Sequence, residues 1–179
     1  MVRTMPLASD TGLVAAAIAG DEAAFDALVG PLVEPGFKLA RVMLRDSGEA
    51  QDAVQEACIM AWRKLSQLRG DDQLRPWFLS IVANRCRTIR RTRWWSMVRL
   101  AEVRAELRHN RDDFESELDL DRELRRLPRR QRAALFLFFY LDLSLVDVAE
   151  VLKVSPQAAK SLVHRAVVNL RMSMAEVIP

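Results

Sequence analysis

Residues 144–170 read SLVDVAEVLKVSPQAAKSLVHRAVVNL, and this stretch predicts two short helices joined by a tight turn. Ser144 and Ser155 each stand where a helix N-cap is expected, with Asp147 three residues after the first and Pro156 directly after the second. Two short helices joined in this way are typical of a helix-turn-helix, although a purely structural helical hairpin has the same local pattern.

The second of these helices has an apolar face and a polar face. Its outward residues are of the types that bind base edges and phosphates in the major groove, which favours DNA binding. The apolar face consists of Ala159, Leu162, Val163, Ala166 and Leu170, and the polar face of Gln157, Lys160, Ser161 and His164, with Arg165 at its edge.

The rest of the chain is also predicted to be helical, because it lacks strand-like alternation of any length. Helices are expected at 12–19, 21–33 and 37–44, with Pro35 and Gly36 interrupting the last two. The fold class is therefore all-α, with two small helical domains joined by a linker. The expected divisions are an N-terminal segment 1–20, a first domain 21–92, a linker 93–117 and a second domain 118–179 that contains the helix-turn-helix.

A helix beginning near Asp46 has two opposite faces. Asp46 lies three residues before Glu49, which suggests a capping box. The stripe predicted to be buried consists of Val54, Ala57, Cys58, Ala61, Trp62 and Leu65. The opposite face, made of Asp52, Gln55, Glu56, Ile59 and Arg63, is polar apart from one exposed Ile. It is either a docking surface or a plain solvent-exposed face.

The next helix, expected at 77–92, carries much of the positive charge. Between residues 75 and 100 there are seven arginines and no acidic residue. Asn84, Arg87 and Arg91 share a face with Ser80 and Thr88, opposite the apolar residues Phe78, Ile81, Val82 and Ile89. Arg85 falls within the apolar face, where it must reach solvent or find a partner. Such a face suits a polyanion, and a solvated basic helix is the alternative.

Other classes of protein are disfavoured by composition. Cys58 and Cys86 have no CxxC spacing, so neither a disulfide framework nor a metal site is expected. No nucleotide-binding glycine loop or nucleophile arrangement is present, which predicts no cofactor and no enzymatic activity. The longest apolar run, 133–141, is nine residues, too short to span a membrane, and no signal peptide is evident. The expected location is the cytoplasm.

Two ordered motifs resemble the extracytoplasmic-function (ECF) sigma factors of bacterial RNA polymerase. DAVQEACIMAWRKL is similar to region 2.2 of that family, and RPWFLSIVANRCRTIRR to regions 2.3 and 2.4. LRRLPRRQRAALFLFFYLDLSLVDVAEVLKVSPQAAKSLVHRA resembles region 4. The resemblance covers roughly residues 21–92 and 118–171, and it implies a promoter-specificity subunit that performs no bond chemistry.

The resemblance implies a role for each matched segment. The face that contains Asp52, Gln55, Glu56, Ile59 and Arg63 would meet the clamp helices of the largest polymerase subunit. The loop 68–75 would hold a flipped base of the -10 element, whose melting strand would meet Trp77, Ser80, Asn84, Arg87, Thr88 and Arg91. Gln157, Lys160, Ser161, His164 and Arg165 would read the -35 element. The run 136–140 would be core on one side and would touch the polymerase flap on the other.

Some positions depart from the family pattern. Lys153 stands in the turn where Gly is usual, and a left-handed backbone there would cost roughly 1 kcal/mol. Ala158 and Leu162 stand where the family often has Thr and Arg, which implies one missing phosphate contact and puts the -35 sequence and the strength of duplex binding in doubt. Packing in the core is as good an account of Trp77 as stacking on the open strand. The role of Arg93, Trp94 and Trp95, which lie beyond the match, is open.

Partners and rivals complete the expectations. The partners are core RNA polymerase, promoter DNA and an anti-sigma factor, with no membrane insertion. One rival interpretation is a stand-alone helix-turn-helix regulator whose first half is a sensor or dimerisation domain. Another is an adaptor or antagonist that binds polymerase without selecting promoters.

Overall fold

The computed structural model describes residues 10–68, 70, 73–101 and 119–175. Within these ranges the chain folds into helices without a strand, as the sequence predicts. The N-terminal domain contains α1 (Asp10–Ile18), α2 (Glu22–Leu44), α3 (Ser47–Lys64) and α4 (Leu74–Ala101). The C-terminal domain contains α5 (Asp119–Arg126), α6 (Arg129–Leu135), a π-helical segment (Phe136–Tyr140), α7 (Leu145–Leu152) and α8 (Pro156–Ala175).

Helix α2 is one continuous helix, so the interruption predicted at Pro35 and Gly36 is wrong. Asp21 begins it by accepting a hydrogen bond from the backbone N–H of Ala24 (3.1 Å). Pro31 and Pro35 both lie inside it, although each removes a helical hydrogen bond. Burial of a long apolar face offsets this loss, and the helix comes close to its neighbour at Gly36. A Cβ on Gly36 would lie 3.1 Å from Phe78 Cε1.

Helices α2, α3 and α4 pack against one another and form the core of the N-terminal domain, with α1 against α2. Asp46 caps α3, as predicted, by accepting from Glu49 N (2.8 Å). The predicted stripe on α3 is buried at Val54, Ala57, Ala61 and Leu65. Cys58 is only half-buried, and Trp62 remains 37% exposed while its ring makes a T-shaped contact with Phe25.

Helix α4 is longer than the sequence predicts, because it continues past residue 92 to Ala101. Its predicted apolar face holds it in the domain: Phe78, Ile81 and Val82 are buried, and Ile89 is partly buried against the same core. Arg85 finds a partner rather than reaching solvent, since its guanidinium pairs with Glu56 of α3. This ion pair joins α3 to α4.

In the C-terminal domain α8 packs against α5, α6 and α7. Helix α7 begins at Ser144, whose hydroxyl accepts a hydrogen bond from Asp147 N (3.1 Å). Helix α8 begins with the same type of cap, from Ala158 N to Ser155 Oγ (3.2 Å), and has Pro156 in its first turn. Both caps and the intervening turn are those the sequence predicts, and they build the helix-turn-helix.

The two domains pack directly on each other, which the sequence does not predict. Helix α4 contacts α7, and α2 contacts α6, so one apolar core runs through both domains. Arg132 Nε donates to the carbonyl oxygen of Val42 (3.1 Å), and Lys38 Nζ to the hydroxyl of Tyr140 (2.8 Å). We call this contact surface the seam, and the arrangement that contains it the closed arrangement.

Candidate nucleic-acid interface

The polar face of α8 is open to solvent. Gln157, Lys160, His164 and Arg165 are exposed, and Ser161 is half-buried. Two of these groups also bond within the helix: Ser161 Oγ donates to the carbonyl of Gln157 (2.9 Å), and Arg165 Nε to that of Ser161 (3.1 Å). Ala159, Val163 and Ala166 on the opposite face are buried. A helix with this geometry presents its N-terminal half to a partner, as recognition helices do.

The turn before α8 contains a strained residue. Lys153 has φ 53° and ψ 57°, the left-handed conformation that the resemblance to a family with glycine at this position implies. Its backbone N–H donates to the carbonyls of Ala149 and Glu150, which closes the end of α7. Only glycine adopts this conformation without a penalty, so the turn is formed at some cost in stability.

Helix α4 presents its polar face differently. Asn84, Arg87 and Thr88 are half-buried rather than exposed, and so is Ser80. Ser80 Oγ donates to the carbonyl of Trp77 (2.8 Å), and Thr88 Oγ1 to that of Asn84 (3.2 Å). Both hydroxyls therefore donate their hydrogen bond to the backbone of their own helix, which the sequence pattern does not predict.

Arg87 is covered by the other domain. Its Nη1 donates to the carbonyl oxygen of Val151 in α7 (3.4 Å), and its Nη2 is buried without a hydrogen-bond partner. Burial, and next the charge of Arg130, lower the pKa of the Arg87 guanidinium. In the closed arrangement this guanidinium faces α7 rather than solvent.

The other residues singled out on and near α4 differ from Arg87 in their surroundings. Arg91 is exposed, and Trp77 is half-buried against the core, so packing accounts for at least part of its surface. Arg93 pairs with Glu49 of α3 (3.4 Å), and the Trp94 ring is 61% exposed. The side chain of Trp95 lies outside the described residues, as do Arg69, Asp71 and Asp72 of the predicted base pocket.

The predicted docking face on α3 is mostly accessible. Asp52, Gln55 and Arg63 are exposed, and the Ile59 side chain is 48% exposed. Glu56 differs, because its carboxylate is held by Arg85 and is half-buried. The face thus has one apolar residue among polar groups. One of its carboxylates, that of Glu56, also forms the ion pair that joins α3 to α4.

The π-helical segment is divided between core and surface. Its i to i+5 hydrogen bonding, here Leu141 N to the carbonyl of Phe136 (3.0 Å), rotates successive side chains to different sides. Leu137 is buried, whereas Phe139 and Tyr140 are 60% and 58% exposed. One side of this run is core, as expected, and the other side is exposed aromatic surface, whose contact with the polymerase flap stays a prediction.

Several charged residues at the seam were not predicted as functional. Arg132 is 7% exposed, and its Nη1 donates to the carbonyl of Arg125 (3.2 Å). Arg45, in the left-handed conformation at the end of α2 (φ 63°), donates from Nη2 to the same carbonyl. Arg132 and Arg125 are seven positions apart and both belong to the dense run of arginines at 125–132, whereas Arg45 is 80 positions from Arg125 and no sequence pattern signalled it.

None of the described helices is both long and apolar enough to cross a membrane. This finding bears on the described helices alone.

Comparison with known proteins agrees with these features. Residues 29–96 match the family model "Sigma-70 region 2", and residues 117–170 match "Sigma-70, region 4". The ECF RNA polymerase sigma factor SigM of Mycobacterium tuberculosis is 34% identical over 159 residues, covering 88% of this chain and 81% of SigM.

Two solved structures have the same fold. The sigma factor RpoE of Bartonella quintana, solved with the anti-sigma factor NepR, superimposes with a TM-score of 0.70 at 22% identity, covering 87% of this chain and 98% of that one. CnrH, solved with the cytosolic domain of CnrY, gives a TM-score of 0.68 at 24% identity, covering 95% of this chain and 99% of that one.

The helix-turn-helix, the basic helix α4 and the matches along both domains define a sigma factor of bacterial RNA polymerase. Within that class, the chain belongs to the ECF family.

Proposed function

We propose that this sigma factor binds core RNA polymerase through α3 and directs it to promoters read by α4 and α8. The observation that carries the proposal is the exposed polar face of α8, presented by a capped helix-turn-helix in a chain of this family. The proposed domains are 21–92 for polymerase and the -10 element, and 118–179 for the -35 element, with 93–117 as linker.

The -35 element is assigned to the N-terminal half of α8. Lys160 and Gln157 are the strongest candidates, because both are exposed and neither side chain has a role in packing. Lysine pairs with guanine or phosphate, and glutamine pairs with adenine. Ser161, His164 and Arg165 complete this surface, with Arg165 positioned for a phosphate.

The -10 element is assigned to α4, where Asn84, Arg87 and Arg91 follow one another along a face. A separated strand offers phosphates and unstacked bases, which arginine and asparagine side chains bind. Trp77, Ser80 and Thr88 flank that face and complete the proposed set. Because Arg87 is covered by α7, this surface requires a change in the seam before it can bind DNA.

Polymerase docking is assigned to the exposed face of α3. Asp52, Gln55, Ile59 and Arg63 are free to meet a partner helix, with Ile59 as the apolar centre and polar groups around it. Glu56 is a weaker contributor, since its carboxylate already pairs with Arg85. The exposed Phe139 and Tyr140 side chains are the surface proposed for the polymerase flap.

The proposal includes no bond chemistry and a cytoplasmic location, where polymerase and promoters are found. It also includes an anti-sigma partner. Of the two structures with the same fold, RpoE was solved with an anti-sigma factor and CnrH with the cytosolic domain of CnrY. The exposed aromatic surface of the C-terminal domain also supports a protein contact there. Repeated co-purification from the native host that yields only polymerase would count against this partner.

Transcription in vitro with core polymerase over a genomic library tests the function. We expect a set of transcribed promoters that share two short elements. Asn84→Ala should change the preferred upstream edge of the melted region, and Lys160→Ala the -35 preference, while polymerase binding is kept. Arg171→Gln, at an exposed position near the end of α8, is the matched control and should leave the promoter set unchanged.

The same experiment separates the rival interpretations. A stand-alone regulator would bind its duplex as tightly without polymerase as with it, which a gel-shift with and without core enzyme measures. An adaptor or antagonist would bind polymerase, but its Asn84→Ala and Lys160→Ala variants would leave the promoter set unaltered.

A further inference from the structure

Arginines from both domains meet where α6 crosses the end of α2. The guanidinium groups of Arg45 and Arg132 donate to one and the same oxygen atom, the backbone carbonyl of Arg125. Arg132 also donates to the carbonyl of Val42 on the other side of the seam (3.1 Å). Two further guanidinium groups, those of Arg90 and Arg129, act on the Arg132 guanidinium through their charge. The group, called here the seam arginine cluster, consists of Arg45, Arg90, Arg129 and Arg132.

The four arginines of this cluster differ from other arginines of the basic surface in their partners. Within the described part of the chain, no carboxylate forms an ion pair with Arg45, Arg90, Arg129 or Arg132. Other arginines do have such partners: Arg85 pairs with Glu56, Arg93 with Glu49 and Arg126 with Glu123. The contrast sets the cluster apart from the rest of the basic surface.

The buried member of the cluster has an unused donor. Arg132 is 7% exposed, and its Nη2 has no hydrogen-bond partner. Burial, and next the charge of Arg45, lower the pKa of Arg132 to about 10. Burial also lowers the pKa of Arg90, followed by the effect of Arg129. Like charges this close repel one another, so closing the two domains concentrates positive charge at the seam.

We propose that the seam arginine cluster is a binding site for an oxyanion, either a phosphate or a carboxylate, which bridges the two domains and stabilises the closed arrangement. Arg45, Arg90 and Arg129 are exposed and supply the accessible donors, from the end of α2, from α4 and from the start of α6. Arg132 is buried and contributes its positive charge to the site. Guanidinium groups are planar, and their paired N–H donors match the paired oxygens of phosphate and carboxylate.

The site lies beside the residues proposed to bind the -10 element, which gives the anion a regulatory consequence. Stabilising the closed arrangement keeps Arg87 against the Val151 carbonyl, away from DNA. This consequence rests on the proposed function, whereas binding of the anion does not. A bound oxyanion would therefore lower promoter use by holding the seam shut.

Calorimetric titration of the full chain tests the site. One titration uses inorganic pyrophosphate and the other a hexaglutamate peptide, both at an ionic strength held constant with sodium chloride. We expect at least one probe to bind at one site per chain. A response to pyrophosphate alone assigns the site to phosphates, and a response to the peptide alone assigns it to an acidic protein segment.

Variants locate the binding. The double variant Arg45→Gln with Arg129→Gln removes two accessible donors and should weaken binding by about tenfold or more, because hydrogen bonds to charged groups are the strong ones. Arg171→Gln removes one exposed positive charge far along α8 and should change the affinity by less than about twofold. Equal helix content by circular dichroism confirms that the double variant is folded. Unchanged affinity in the double variant, or no binding of either probe, overturns the proposal.

A second measurement tests the bridging role. The measurement uses a sample in which the seam is partly open. Its radius of gyration from small-angle X-ray scattering should fall when the binding probe is added at constant ionic strength. The double variant should not respond. Binding without any effect on the scattering of a partly open sample would contradict the bridging role. Neither measurement contains polymerase or promoter DNA, so their failure is distinguishable from failure of the sigma-factor assignment.

Discussion

Helices α4 and α8 are both proposed to bind DNA, yet the structure presents them in opposite states. The candidate side chains on α8, among them Gln157 and Lys160, are exposed and need no rearrangement to meet a duplex. On α4 the central side chain, Arg87, donates to the Val151 carbonyl and is covered by α7. One surface is ready for its ligand, and the other is blocked by the domain that carries the first.

The difference is explained by the distance between the two promoter elements. Their names place them about 25 base pairs apart, which is roughly 85 Å along a duplex with a rise of about 3.4 Å per base pair. A compact chain of this size has a radius of gyration of about 16 Å. If α4 and α8 bind the elements proposed for them, the closed arrangement is too small to hold both, and the seam has to open before the two helices act together.

The largest effect of mutation is expected on α8, whose candidate side chains are exposed. The double variant Gln157→Ala with Lys160→Ala removes two exposed base-reading groups, and it should lower promoter-specific transcription by about 100-fold. The double variant Ser80→Ala with Thr88→Ala should lower it by less than about threefold, because both hydroxyls already donate to backbone carbonyls of α4.

Transcription from one promoter with saturating core polymerase measures both effects. Equal losses for the two double variants would show that the hydroxyls of α4 turn toward DNA in the open arrangement. No loss for the α8 variant would remove that helix from promoter recognition altogether.

A smaller effect concerns how α4 is held in place. Glu56→Gln breaks the ion pair with Arg85, and the free energy of unfolding should fall by about 0.5 kcal/mol, a modest value because the pair is partly exposed. Asp52→Asn, one turn earlier on the same face, should weaken polymerase binding without changing stability. Urea unfolding and a polymerase-binding titration of both variants test this division of roles. Equal stability of the two variants would contradict it.

An effect of similar small size concerns how α8 is positioned. Lys153→Gly should raise the free energy of unfolding by about 0.5 kcal/mol, because glycine adopts the left-handed conformation freely but loses more chain entropy on folding. Lys153→Ala is the matched control and should bring no gain, since alanine has the same backbone strain as lysine. Thermal unfolding of both variants measures the difference. A gain of the same size for alanine would show that the lysine side chain, not the backbone, is the cause.

The features that the sequence predicted correctly depend on local contacts. The caps at Asp46, Ser144 and Ser155 each join a side chain to a backbone N–H three residues away, so the pattern of residues is sufficient to locate them. The left-handed turn at Lys153 is also local, and it was implied by the resemblance to a family with glycine at this position. Helix faces were also predictable, because the 3.6-residue period separates Phe78 from Asn84 without knowledge of the fold.

The features that the sequence did not predict depend on contacts between distant residues. Pro35 signals a break, but α2 continues through it because its apolar face is buried against α4. The partner of Arg85 is 29 positions away, and the acceptor of Arg87 is 64 positions away. The seam itself combines groups from helices that no periodic pattern links. Periodicity indicates which face of a helix is apolar, but not which helix will cover it.

Arginine reactivity measures the difference between the two helices most directly. Phenylglyoxal modification of the free chain, followed by mass spectrometry, should modify Arg165 on α8 quickly and Arg87 on α4 slowly. Addition of core polymerase alone should make Arg87 react faster, because the seam opens. Further addition of a promoter with an open -10 region should protect Arg87 again, because DNA covers it. If Arg87 reacts as fast as Arg165 in the free chain, or remains unreactive with polymerase alone, the closed arrangement does not control the -10 surface.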